Sequence, residues 1–262
     1  MSKHYMPSAV LRDNAKGFLN GKYKSAIGAT LVYIVLSNLL MNAISMLGDG
    51  IKSLFVKSGT TSFTAVIVVY VLSYCLSGLG VVITGMILVG MAYYYLKMGT
   101  GHLPRVSDIF YGFREDAGKS FKASLGVTAP AFISYAPAFF IYIFYSSSKS
   151  RTLLYALIIA AVLGTVCYIF ADISLKMTFY ILVDFPELSA MEALKSSWEK
   201  MSGHRMKLFL LEISFIPYII LSLISLGVGM LWVYPYIQES VAQFYLDLMN
   251  PKTVTGEWER TV

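Results

Sequence analysis

Few side chains in this sequence could do chemistry, and those few stand next to apolar runs. Asp172 and Lys176 lie four residues apart in "FADISLKMTF". On a helix they share a face and can pair. Glu212 interrupts the apolar stretch "MKLFLLEISFIPY", six residues after Met206, and His204 just precedes it. Asp172 falls about 20 residues, or about 30 Å, beyond the start of its run at Thr152, and Glu212 falls about 9 Å beyond Met206. Asp172, Lys176, Glu212 and His204 are therefore predicted to form one polar layer at an inner membrane boundary. Such a layer suits a proton or ion relay, or a headgroup site. It also suits an ion-pair cluster that fixes helix register. A second polar face is set by Asn38 and Asn42, four apart within an apolar run. These two could bond another helix or line a cavity.

The remaining chemistry is sparse. The three histidines, His4, His102 and His204, have no metal-ligand partner four residues on. Zinc-protease, nucleophile-elbow, phosphate-loop and dinucleotide signatures do not occur. Gly-rich "GTGHLP" (99–104) lacks the Lys-Ser/Thr ending of a phosphate loop. Cys75 and Cys167 both sit in apolar runs and are predicted to be buried, reduced small hydrophobes, not disulfide partners. No enzyme, metal or cofactor is expected from these residues.

The elements that must position them are membrane helices. Of 262 residues, 56% are hydrophobic and 14% charged, against about 25% charged in soluble domains. Mean hydropathy is +0.64. The expected fold is all-α: a polytopic transmembrane bundle in one domain (1–250), with a polar tail (251–262). About six spans are predicted, near 26–47, 63–96, 123–145, 152–183, 206–226 and 230–249. The first is too long for a cleaved leader. A loop is expected over 48–62. The second run can break near "SGLG" (77–80), and the third carries Pro130 and Pro137. The last, with Gln238, Glu239, Gln243 and Asp247, either spans or lies at the interface. Amphipathic surface helices are expected too. One starts at Pro7-Ser8 and gathers Leu11, Ala15, Phe18 and Leu19 on one face.

The formal net charge of +6 is distributed, not clustered. With six spans and a cytoplasmic N-terminus, sixteen Lys and Arg fall in cytoplasmic segments and four in outside loops. This is a positive-inside pattern, which places both termini in the cytoplasm and favours anionic headgroups there over nucleic acid. The two large cytoplasmic linkers echo each other. Pro104, Ser107, an amphipathic stretch, Gly118 and Lys122 parallel Pro186, Ser189, an amphipathic stretch, Gly203 and Lys207. Ser189 and Glu192 form a capping box, and Gly203 suits a helix C-cap. The echo points to a parallel internal duplication.

Three blocks carry a family resemblance: "LRDNAKGFLNGKYKSAIGATL", "MSGHRMKLFLLEISFIPYIIL" and "GVGMLWVYPYIQESVAQFYLDL". Together they closely resemble the bacterial integral membrane family labelled domain of unknown function 975, over about residues 9 to 249. Ser240 stands where that family usually has Thr. The family is more distantly similar to the membrane portion of some glycerophosphodiester phosphodiesterases, whose catalytic domain has no counterpart here. The resemblance implies a multi-helix protein of the bacterial cytoplasmic membrane and supplies no catalytic residues. The function expected is that of a non-enzymatic accessory that binds a membrane protein partner or lipid. A small transporter or permease subunit is the alternative. An intramembrane enzyme on lipid headgroups would need His204, Glu212 or Asp172 to converge in a cleft.

Overall fold

The computed structural model describes residues 3–57, 63–250 and 252–253. The tail expected over 251–262 lies outside these, apart from Lys252–Thr253. The helices are α1 (Ser8–Leu19), α2 (Tyr23–Lys57), α3 (Phe63–Gly99), α4 (Tyr111–Arg114), α5 (Ala117–Ser148), α6 (Arg151–Leu175), α7 (Thr178–Asp184), α8 (Ala190–Lys200), α9 (Arg205–Ile213), α10 (Ile216–Ile224) and α11 (Met230–Met249). A 3-10 turn, Val106–Phe110, precedes α4, and a two-residue antiparallel bridge joins Lys3–His4 to Lys252–Thr253. Among the described residues, five helical stretches are long and apolar enough to cross a membrane: Tyr23–Phe55, Thr64–Gly99, Ala117–Ser146, Arg151–Asp184 and Arg205–Ile224. The chain is an all-α, multi-pass membrane protein.

Several elements differ from expectation. α2 does not end at Leu47 but continues to Lys57, so most of the expected loop is helix, and 58–62 lie outside the described residues. No proline or positive-φ glycine stops it there, and Gly48 and Gly50 stay helical. α3 passes through "SGLG" unbroken. α5 also runs through both prolines. Pro137 deprives the Ile133 carbonyl of its helical donor, and next to it the Tyr74 hydroxyl donates to the Phe132 carbonyl (2.9 Å). The run from Thr152 breaks at Lys176–Met177, between α6 and α7. The run from Met206 breaks at Ser214–Phe215, because Pro217 has no N–H for the Ile213 carbonyl. Met230–Met249 is a single helix but is not among the five apolar stretches.

α2, α3, α5 and α6 stand in a row, each packed on the next. Small residues let them approach: Gly78 meets Phe132, Gly85 meets Ser124, and Gly164 meets the Ser134 carbonyl. The two ends of the row are bridged by α9 and α11 at the end that carries the linkers. The core lies at that end. It draws on Leu11, Ala15 and Leu19 of α1, Val89 to Met98 of α3, Ile173 to Val183, Leu208 and Leu211 of α9, and Tyr236 to Leu248 of α11. Towards the hairpin end, apolar side chains such as Leu39, Met46, Ile159, Leu163 and Val166 are exposed. Cys75 and Cys167 are exposed there as well, a correction to the buried state expected of them. Their apolar surroundings are not protein core but the surface a bilayer would cover.

α1 also departs from a surface helix. Its apolar face, Leu11, Ala15 and Leu19, is buried against α11 instead of being left free for lipid. The Met6 N–H donates to Asp247 (2.9 Å), and the Lys16 ammonium sits 5.6 Å from the Tyr236 ring centre. α1 therefore runs antiparallel to α11. Both linkers fold back onto the membrane helices. The 3-10 turn and α4 lie on α3, where a Cβ on Gly90 would collide with the Ile109 carbonyl oxygen. α8 lies on α5 and α7, begun by the Ser189–Glu192 capping box. The backbone N–H and hydroxyl of Ser189 hold the Glu192 carboxyl below the usual carboxylate range. Gly203 follows at φ +81°, a conformation that favours glycine.

Candidate functional site

The break between α6 and α7 puts Lys176 at the corner of two elements. Its ammonium lies 3.2 Å from Asp172 Oδ2 and 3.1 Å from Glu212 Oε1. Asp172 comes from the same helix, one turn back, and Glu212 comes from α9. The first contact follows from helical spacing alone. The second is tertiary, and it ties the end of the helix row to α9. All three side chains are about a third exposed or less. With three donors on one ammonium, two are taken. The cluster carries a formal charge of −1.

His204 is not part of this cluster, contrary to the sequence expectation. It precedes α9, a full two turns or about 12 Å of helix before Glu212. Its ring meets Tyr5 edge-on at 4.4 Å, and its Nδ1 lies 3.2 Å from the Lys200 and Ser202 carbonyl oxygens. Together with Lys207 and Asp247 it lines a separate cleft of about 150 Å³ beside the N-terminal segment. Asn38 and Asn42 are exposed and turn back on their own helix, donating to the Ile34 and Asn38 carbonyls at 2.8 Å. Neither reaches the cluster.

Asp172 and Lys176 form part of the wall of a cleft of about 310 Å³. Its remaining polar groups are Tyr33, Tyr168, Tyr180, Tyr234 and Gln238. Its apolar lining is Leu88, Met91, Ala92, Val127, Leu175, Phe179 and Val241. The helix row supplies one side, and α7 with α11 supplies the other. Tyr33 and Tyr234 stack across α2 and α11 at 5.6 Å. Tyr180 stacks on Tyr245 at 5.3 Å, and the Tyr245 hydroxyl donates to Asp184 (2.7 Å), so this wall is braced. The cleft therefore has a charged corner, aromatic sides and an apolar remainder, the composition of a small-molecule site.

A further carboxyl stands next to Gln238 on α11. Glu239 is fully buried, and its Oε1 accepts from Gln243 Nε2 at 2.8 Å. Its Oε2 finds no hydrogen-bond partner among the described residues. Gly99 closes over the pair: a Cβ there would lie 2.8 Å from Gln243 Nε2 and 3.0 Å from Glu239 Oε1. Sequence reasoning placed Glu239 and Gln243 on α11 but not in a site. Their spacing of four was legible; their burial under α3 was not. Tyr33, Tyr168 and Tyr180 carry no signal in the sequence, and Tyr234 stands in the aromatic run "WVYPY", which fits an interfacial belt better than a binding site. Among the described residues, no three His, Cys, Asp or Glu side chains come together as a metal-binding group.

A family model described as "Protein of unknown function (DUF975)" matches residues 6–252. The chain belongs to that family. The match takes in every helix of the fold and every residue of the cluster. No curated protein matches the chain. No solved structure matches it either.

Proposed function

We propose that this DUF975 protein is a non-enzymatic membrane accessory whose cleft holds an amphiphile drawn from the surrounding leaflet. The observation that carries this reading is the cleft itself: a charged corner at Asp172–Lys176 under apolar and tyrosine walls. Polar and apolar lining of this kind matches a molecule with a headgroup and chains. The expected cytoplasmic orientation would give the site to the inner leaflet. The test is native mass spectrometry after extraction with native lipid. A lipid retained stoichiometrically by the wild-type chain, and lost on filling the cleft with Ala92→Phe, supports the reading. A chain that emerges with no bound lipid and binds none on titration overturns it.

A second reading, a small transporter or permease subunit, draws on one feature. The polar wall runs from Lys176 to Tyr168, eight residues or about 12 Å along α6. Substrate-dependent flux in proteoliposomes, absent in Glu212→Gln, would favour it over the accessory role.

A further inference from the structure

The charge arrangement of the cleft specifies more than an amphiphile. Lys176 uses two of its three donors, on Asp172 Oδ2 and Glu212 Oε1. One donor remains for a phosphate oxygen. Asp172, which lines the cleft, keeps Oδ1 as an acceptor, and Glu212 stands behind Lys176, outside the lining. The two carboxylates outweigh the one ammonium. A headgroup with only negative charge would gain one contact at Lys176 and face a net negative cluster. A headgroup with an ammonium beside its phosphate meets an opposite charge at both ends. Tyr33 stacks on Tyr234 and Tyr180 on Tyr245, which leaves each of these lining rings at most one face to attract a cation, and Tyr168 adds a further ring.

We propose that the occupant of the cleft is a zwitterionic phospholipid whose headgroup places its phosphate on Lys176 and its primary ammonium on Asp172, among the tyrosines. This rests on the amphiphile reading above and names the class of molecule. A lipid, not a free headgroup, is the occupant, because Leu88, Met91, Ala92 and Val127 continue the cleft as an apolar wall along the helix row. A primary ammonium is favoured over a quaternary one, since Asp172 Oδ1 needs an N–H donor.

The test uses the full chain, delipidated in detergent and titrated with phosphatidylethanolamine, phosphatidylglycerol or phosphatidylcholine, read by native mass spectrometry. Phosphatidylethanolamine is expected to bind at least about fivefold tighter than phosphatidylglycerol, the factor that one extra charge-assisted contact gives. Asp172→Asn should bring that ratio close to one. Tyr33→Leu with Tyr234→Leu should lower phosphatidylethanolamine binding without requiring any change to the ion cluster, and it serves if Asp172→Asn does not fold. Equal or tighter binding of phosphatidylglycerol, or a preference untouched by either variant, overturns the headgroup assignment while leaving the amphiphile reading standing. Competition by free phosphoethanolamine at lipid-like concentration overturns the lipid as occupant. Absence of binding by every lipid overturns the amphiphile reading itself.

Discussion

Lys176 is the residue on which the cluster depends. Removing one partner from an ion pair leaves the others desolvated and unpaired. Lys176→Met leaves two carboxylates facing each other, whereas Asp172→Asn or Glu212→Gln leaves one intact pair. Lys176→Met is therefore expected to be the most destabilising of the three. The loss should be roughly 1–3 kcal/mol, moderated because the cluster is about a third exposed. Melting curves of the three variants in one detergent check the order. All three residues of this cluster were legible in the sequence. Asp172 and Lys176 are joined by helical spacing, which any reader of the sequence can count. Glu212 required a depth argument, which worked because both runs start from a boundary. His204 does not join them: it stands eight residues, about 12 Å of helix, before Glu212, and its ring meets Tyr5. The cleft-lining role of the tyrosines was not legible, because nothing local distinguishes a ring lining a cleft from one at an interface, and for Glu239 the position on α11 was legible but the burial under α3 was not.

At the scale of elements, caps and breaks were legible where a side chain forces them. The Ser189–Glu192 box forms as its spacing requires. Ser189→Ala should cost about 1 kcal/mol of stability, measurable as a shift in melting temperature. Glu192 is held below the usual carboxylate range, so its contribution is present above the unfolded-state carboxylate pKa. It is lost as pH falls through the lower folded-state value. Hydrogen exchange at the start of α8 should accordingly rise only at acid pH, and Glu192→Gln should remove that dependence. The split of α9 from α10 was not anticipated, although Pro217 was in view. Its consequence is a short hairpin. Phe215 packs on Tyr236, which in turn receives Lys16. From Phe215 to the tip at Gly227 is twelve residues, at most about 18 Å of helix, against a hydrocarbon core of about 30 Å, so the stretch Arg205–Ile224 reaches across only if α9 continues the line of α10. Leu226, at the tip, is 95% exposed. Leu226→Cys should resist membrane-impermeant thiol reagents from both sides and react with a lipid-soluble one. Labelling by an impermeant reagent from the side opposite the linkers would show that this hairpin crosses.

For the whole molecule, composition was enough to give class, and charge placement gave an expected orientation. Ser148→Cys, the last residue of α5 before the turn into α6, and Lys195→Cys, on the exposed side of α8, should label from opposite faces of the membrane. Labelling from one face would exclude the orientation read from the positive charges. What composition did not give is where the core lies. Apolar residues are spread along every span, yet those that meet other protein concentrate at the linker end. The reason is lateral: a single row of helices buries side chains only against its neighbours and leaves its faces to lipid. The seam where Gly90 meets the Ile109 carbonyl then acts as a fulcrum. Gly90→Ala has no flexible side chain to displace there, only backbone, and should prevent folding where Gly50→Ala, with open space around it, should not. Helices of 30 residues or more anchored at one end are also long levers. A tilt of about 10° at the anchor moves the far end of a 35-residue helix by about 9 Å. Small adjustments among the linkers would thus be amplified into large lateral displacements in the opposite leaflet, and lipid packing there would push back on the linkers through the same arms.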